Sequence, residues 1–237
     1  MLRINGRPAH PLPEAFWHGF FVYTTLRLVQ GQPLWLPAHL ERLHRHAAAL
    51  GLAFPGFALL EQEVMHYSLA KADLLLRLVV FPEGYASSAR PFVPPPAAAY
   101  SSGVRVWLTA RQIHPDLGMY KTGSYLAYRL ARLEAERHGC FEGLLLDKDG
   151  YLADGSRTSL LLYREGELSA LLGGLEGITR QKVLECAAGM GFRVGKVRLR
   201  PDELTGQLLL AGTGVGLLPV GQPTDAALQE LIARFRP

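Results

Sequence analysis

Lys121 lies in the run Met119-Tyr120-Lys121-Thr122-Gly123-Ser124-Tyr125, and the chain has only five lysines among its 25 basic residues. A lysine amine becomes a nucleophile toward carbonyls when a low-dielectric site or a neighbouring cation depresses its pKa. Its ordinary reading is a solvated charge at an element boundary. Three further features could take a phosphate. Gly177-Ile178-Thr179-Arg180 opens a helix, where unpaired N–H groups and the helix dipole favour an anion. Thr213, in Ala211-Gly212-Thr213-Gly214, offers a hydroxyl and an amide in a glycine-loosened turn. Arg42 offers a planar fork for bidentate recognition. A cap for the threonine and a solvated helix face for the arginine are the plain alternatives.

The elements that must position these groups can be read from periodicity. Met1 to Ile4 reads as a strand turned by Asn5-Gly6, and Phe20 to Val29 as a longer one turned by Gln30-Gly31. His39 to Leu50 has apolar residues at 40, 43, 47 and 50, the spacing of an amphipathic helix, with Gly51 as its stop. Leu74 to Phe81 is a buried-strand pattern, Pro91 to Pro96 a loop, and Val104 to Ala110 a strand. Tyr125 to His138 reads as a helix with Leu126, Leu130 and Leu133 on one face. Gly143 to Asp147 and Tyr151 to Asp154 flank the turn Lys148-Asp149-Gly150 as a hairpin. Ser159 to Tyr163 and Gln207 to Ala211 are strands, and Thr179 is placed to cap a helix reaching Met190. The expectation is an α+β protein in two parts: residues 1–110, a linker at 111–118, and residues 119–237 carrying Lys121.

Composition narrows the function classes. With 49% hydrophobic and 19% charged residues, the chain is of globular type. A net charge of +4 without a long basic run gives little support to nucleic-acid binding. Cys140 and Cys186 form no Cys-x-x-Cys pattern, which argues against a zinc ribbon or disulfide scaffold. No apolar run has membrane-spanning length and no leader pattern opens the chain, so the expected location is the cytoplasm. The histidines include no His-Glu-x-x-His, and His44 and His46 point to different sides of their helix. Gly212-Thr213-Gly214-Val215-Gly216 is followed by a strand pattern, which a dinucleotide fingerprint does not allow.

In order along the chain stand Tyr23-Thr24-Thr25-Leu26-Arg27, His39-Leu40-Glu41-Arg42-Leu43, Lys121-Thr122-Gly123-Ser124-Tyr125-Leu126, and Asp147-Lys148-Asp149-Gly150. Leu175-Glu176-Gly177-Ile178-Thr179-Arg180 and Gly212-Thr213, with Leu218-Pro219-Val220, complete the series. This succession resembles the fold-type IV pyridoxal-phosphate enzymes: branched-chain and D-amino-acid aminotransferases and 4-amino-4-deoxychorismate lyases. The resemblance implies that Lys121 holds pyridoxal 5'-phosphate covalently and then moves protons. It further implies that Arg42, the Gly177-Ile178-Thr179 backbone and Thr213 cradle the phosphate, and that Tyr125 bonds the phenolic oxygen. Asp154 stands where the family has a glutamate at the pyridine nitrogen. A homodimer and a small substrate bearing amino and carboxylate groups are also implied.

Departures from the family pattern bear on the choice of member. Asp154 is one methylene shorter than glutamate, Ser159 replaces an asparagine, and the usual Gly-Asp-Gly is Gly19-Phe20-Phe21. Thr24 replaces the aminotransferase glutamate and resembles the Thr-Thr of some lyases, where a hydroxyl could protonate or orient the leaving enolpyruvyl group. Strand propensity alone also accounts for both threonines. Glu83 stands in place of an arginine of many lyases, leaving Arg27 or Arg77 for a substrate carboxylate. The expected activity is an aminodeoxychorismate lyase. The alternatives are a class IV aminotransferase acting on branched-chain or D-amino acids, and a degenerate, non-catalytic relative.

Overall fold

A computed structural model describes residues 2–4, 7–9 and 13–237, in two compact units. The first comprises Met1–Phe92 with Tyr120–Ser124, and the second Val93–Met119 with Tyr125–Pro237. Met1 and the expected Asn5-Gly6 turn lie outside the described residues.

The first unit runs β1 (Leu2–Ile4), β2 (Arg7–Ala9), α1 (Glu14–His18), β3 (Val22–Val29), β4 (Gln32–Pro33), α2 (Leu36–Ala49), α3 (Phe57–Ser68), β5 (Leu74–Phe81) and β6 (Gly84–Pro91). β1 and β2 pair antiparallel, and an antiparallel sheet has the order β4-β3-β5-β6. Alternation along β3 buries Val22, Thr24, Leu26 and Leu28 on one face. There they pack with Leu76, Leu78 and Val80 of β5 and with Leu40, Leu43, Ala47, Leu60 and Val64 of the helices. The period-2 and period-3.6 stripes meet in that core. Tyr23, Thr25 and Arg27 are left for the other face. The β3–β4 turn depends on Gln30 and Gly31, both at positive φ (48° and 82°), as a twisted two-residue hairpin turn requires.

In the second unit follow α4 (Ala98–Ser101), β7 (Val106–Gln112), α5 (Leu126–Arg137), β8 (Glu142–Leu146), β9 (Leu152–Gly155), β10 (Ser159–Arg164), β11 (Glu167–Leu171), α6 (Ile178–Gly189), β12 (Arg193–Val197), β13 (Gln207–Gly212), β14 (Gly216–Pro219) and α7 (Ala226–Arg234). The strands form a β7-β8-β9 sheet and a β12-β11-β10-β13-β14 sheet. The larger core gathers leucines of β10, β13 and β14 with Val183 and Ala187 of α6 and Leu228, Leu231 and Ile232 of α7.

The division differs from the expected one in two places. Val106–Gln112 pairs in parallel with β8, so the stretch up to residue 110 belongs with the second unit. Residues 120–124 join the first unit because Thr122 bridges Val22 in antiparallel fashion. The expected face of α5 is also displaced. Tyr128, Ala131 and Ala135 are buried, whereas Leu126 is 69% exposed. Small residues win because the helix lies directly on β8: a Cβ on Gly143 would sit 2.5 Å from the Ala131 carbonyl oxygen.

Candidate active site

The residues singled out above fall into two clusters, one in each unit. In the first, Lys121 does not start a helix. It sits in the 120–124 strap, five residues before α5. The strap is fastened by the antiparallel Val22–Thr122 bridge, whose two bonds run from Tyr23 N–H to Lys121 O (2.9 Å) and from Gly123 N–H to Phe21 O (3.0 Å), and by the close approach of Gly19 to Gly123. A Cβ on Gly19 would lie 3.2 Å from the Gly123 carbonyl carbon. The Lys121 backbone N–H donates to His46 Nδ1 at 3.0 Å. Lys121 Nζ lies 4.8 Å from the centroid of the Tyr23 ring, and the Arg77 guanidinium lies 4.6 Å from the same ring. Both cations are thus placed where the ring quadrupole attracts them. Burial raises the Tyr23 pKa, and Arg77 and Arg42 oppose that shift.

Arg42 is buried, contrary to the solvated reading of its helix face, and its Nη2 donates to Thr24 Oγ1 at 3.0 Å. Thr24 Oγ1 is also 2.8 Å from His39 Nδ1. Thr24 is fully buried on the helix-facing side of β3, and its hydroxyl is engaged by Arg42 and His39. The β alternation decides this: the side chain beside the amine belongs to Tyr23, one position earlier. His39 Nε2 is buried with no hydrogen-bond partner among the described residues. Burial first, then Arg42 and Lys121, holds the His39 pKa well below the usual imidazole range. His46 is lowered to about 4, by burial first and then by Arg42, Arg45 and Lys121.

His39, Arg42 and His46 form a buried polar stripe beside the apolar 40/43/47 stripe of α2. Their i, i+3, i+7 spacing was visible in the sequence. Apolar periodicity alone passed over it, and His46 was considered only as a metal ligand.

In the second unit, the loop leading into α6 is held from two sides. Asp154 Oδ2 accepts from Leu175 N–H at 3.3 Å, and Ser159 Oγ donates to Leu175 O at 3.1 Å. The two short side chains that depart from the family pattern therefore grip the two ends of one residue. Glycines make room for them. A Cβ on Gly174 would be 2.8 Å from Asp154 Cγ, and one on Gly177 would be 2.6 Å from Ser159 Oγ. The α6 N-cap is Gly177, not Thr179, which lies in the first turn. Thr179 Oγ1 is buried and has no hydrogen-bond partner among the described residues, so the capping reading fails. Arg180 donates to Leu171 O at 2.8 Å. Burial lowers its pKa, while Asp154 and then Glu176 favour its charged form. Tyr125 precedes α5 and stacks on Tyr128, with ring centroids 4.2 Å apart. Thr213 is half-buried in the turn between β13 and β14.

Beneath this loop lies a buried acid that the sequence reading did not single out. Glu142 on β8 accepts from the Ser156 hydroxyl, Arg157 N–H (3.1 Å), Arg157 Nε (3.4 Å) and Thr158 Oγ1 (3.2 Å). It clamps the turn that links Asp154 to Ser159. Burial raises its pKa, against the hydrogen bond from Ser156 and the charge of Arg157. Thr158 Cγ2 in turn lies 3.3 Å from where a Cβ on Gly212 would be, just before Thr213.

A family model described as amino-transferase class IV matches residues 21–222. Among solved structures, one chain provisionally assigned as a 4-amino-4-deoxychorismate lyase is 55% identical, with a TM-score of 0.96 over 100% of this chain and 99% of that one. The 4-amino-4-deoxychorismate lyase of Pseudomonas aeruginosa is 26% identical, with a TM-score of 0.83 over 98% and 97% of the two chains. A branched-chain aminotransferase from Thermoproteus uzoniensis is also 26% identical, with a TM-score of 0.84 over 94% and 86%. A probable branched-chain-amino-acid aminotransferase of Rickettsia bellii is 24% identical over 228 residues, 88% of this chain and 78% of the relative.

Proposed function

Because this chain belongs to the class IV aminotransferase family, whose fold is the fold-type IV fold and whose cofactor is pyridoxal 5'-phosphate, we propose that it is an aminodeoxychorismate lyase. It would release pyruvate and leave p-aminobenzoate, a folate precursor. The observation that carries this reading is the likeness to the provisionally assigned lyase, 55% identical and matched across essentially both whole chains. The aminotransferase reading rests on the curated relatives, which are named branched-chain aminotransferases but are more distant, at 24% identity over 228 residues for that of Rickettsia bellii.

The residues fit the cofactor. In the second unit, the buried Thr179 hydroxyl lacks a partner at a helix N-terminus, where a phosphate oxygen would satisfy it. The amides of Ile178 and Thr179 are first-turn donors of α6, and Thr213 adds a hydroxyl. Asp154 is the carboxylate to face the pyridine nitrogen. Tyr125 would donate to the phenolic oxygen. In the first unit, the family pattern would have Lys121 supply the amine and Arg42, whose Nη2 donates to Thr24, bind phosphate. The bound cofactor supplies an electron sink for the pair left when a carbon acid loses its proton.

The chain's own part is proton handling and orientation. Lys121 Nζ takes the proton from the amine-bearing ring carbon of the substrate. Departure of the enolpyruvyl group then aromatises the ring, which drives the reaction forward. Arg77, over the Tyr23 ring, and Arg27, on the same face of β3, are the cations to meet a substrate carboxylate in place of the arginine that Glu83 replaces. A cytoplasmic homodimer is the setting we assign by analogy with the family.

The test is a paired assay on protein reconstituted with pyridoxal phosphate. One arm supplies aminodeoxychorismate and follows p-aminobenzoate; the other supplies branched-chain or D-amino acids with 2-oxoglutarate. We expect product in the first arm, lowered about a thousandfold by Lys121→Ala. Turnover only in the second arm would make the protein an aminotransferase, and silence in both would make it a degenerate relative.

A further inference from the structure

Lys121 is useful only if its amine projects from a fixed place, and its backbone N–H donates to the imidazole of His46. We propose that His46 is a positioning residue for Lys121: its Nδ1 takes the Lys121 backbone N–H and so fixes the main chain from which the amine extends.

The geometry is specific. The bond is 3.0 Å long and joins α2 to a strap 75 residues further along. The ring is also packed by Tyr120, the residue preceding the lysine, in an edge-to-face contact with centroids 5.4 Å apart. His46 is 8% exposed, so water does not readily replace it as the acceptor. Neighbouring bonds, Tyr23 N–H to Lys121 O and Gly123 N–H to Phe21 O, hold the other side of the same segment. Without the imidazole, one end of the Lys121 peptide would be tied and the other loose.

An imidazole nitrogen accepts only while it carries no proton. The charged groups that act on His46 are Arg42 and Arg45 from its own helix and Lys121 from the strap, and the Tyr120 ring packs edge-on against it. Burial first, and then these three cations, keep Nδ1 in its accepting form, with its pKa lowered to about 4. Protonation would remove the acceptor and add a fourth positive charge beside the amine. His46 thus holds the strap above that range and releases it below.

The consequence for catalysis rests on reading Lys121 as the reactive amine, but the hold itself does not, and the experiment separates the two. Backbone amide exchange at Lys121 is measured by NMR on the full chain, with and without pyridoxal phosphate, from pH 3.5 to 7. Gly123 N–H in the same strap is the internal control. Protection factors at Lys121 should fall about five- to tenfold in His46→Phe, which keeps the bulk but removes the acceptor, while Gly123 changes little. His46→Asn, whose side-chain oxygen stands near the Nδ1 position, should restore protection and abolish its loss near pH 4. Equal protection of Lys121 in wild type and His46→Phe would overturn the proposal. If His46→Phe fails to fold, the pH profiles of wild type and His46→Asn decide: coincident profiles would refute it. None of these readouts requires turnover, so failure of the lyase assay leaves this result standing.

Discussion

The two clusters solve the same problem, holding a reactive group still, with opposite materials. Around Lys121 the fastening is done by imidazoles and an arginine on one helix face, kept neutral or paired beneath a β-sheet. Around the α6 N-terminus it is done by short acids and hydroxyls packed against glycine backbone. The first cluster is rich in cations, so its titrating members are histidines pushed down. The second buries a carboxylate, Glu142, pushed up. Their responses to pH therefore have opposite signs. His46, at about 4 when folded and near 6.5 when unfolded, binds more protons in the unfolded chain between those values. Its contribution is present in full above pH 6.5 and is lost as pH falls toward 4. Glu142, raised above 4.5, binds more protons in the folded chain; its contribution is full below 4.5 and shrinks as pH rises.

The largest stability effect that would separate the clusters is at Glu142. Glu142→Ala strands Arg157, Ser156 and Thr158 and should cost about 3 kcal/mol in denaturant melts. Glu142→Gln should cost less and flatten the decline of stability with rising pH, leaving the acid-side loss due to histidine in place. An unchanged pH slope in Glu142→Gln would break the contrast. Next is Thr24→Val, which leaves Arg42 and His39 without their shared hydroxyl. We expect a loss of about 2 kcal/mol and weaker cofactor retention, with the pH profile of turnover unaltered. A rate loss of about a hundredfold at wild-type stability would instead support the catalytic role that the sequence suggested. The smallest effect is at Thr179→Val. Removing an unpartnered buried hydroxyl should change stability by less than about 0.5 kcal/mol, while pyridoxal phosphate affinity, followed by its visible absorbance, drops about tenfold. Loss of stability without loss of affinity would mean that the hydroxyl has no ligand to serve.

Much of this organisation was legible in advance, because strand alternation and helix periodicity are local. β5, β10, the β8–β9 hairpin, α2 and α6 lie within a few residues of their expected places. The order of motifs identified the family, which the family model bears out. What was not legible depends on contacts between distant residues. The strap at 120–124 joins the first unit through Val22, Tyr23 and His46, a choice made by tertiary pairing and not by propensity. Thr24 was read either as a hydroxyl for the leaving group or as a strand former, and its partners Arg42 and His39, 18 and 15 residues away, emerge only from the fold. Glu142 was passed over because a single acid in an apolar run looks like a strand-edge charge until its four donors are seen. The reach of Asp154 was framed as a missing methylene. Its partner, the Leu175 peptide that Ser159 also holds, emerges only from the fold.

The strap also has a meaning in time. Residues 1–92 leave the ribosome with the sheet and α2 of the first unit nearly complete, yet His46 Nδ1 and the Tyr23 amide wait for partners encoded only at Lys121. At synthesis rates of about 5–20 residues per second, that interval lasts a few seconds, and the intervening residues 93–119 are destined for the other unit. The nascent first unit is therefore an unfinished sheet whose last stitch is its own lysine, and a contiguous gene fragment that encodes all of it must also encode residues 93–119 of the other unit.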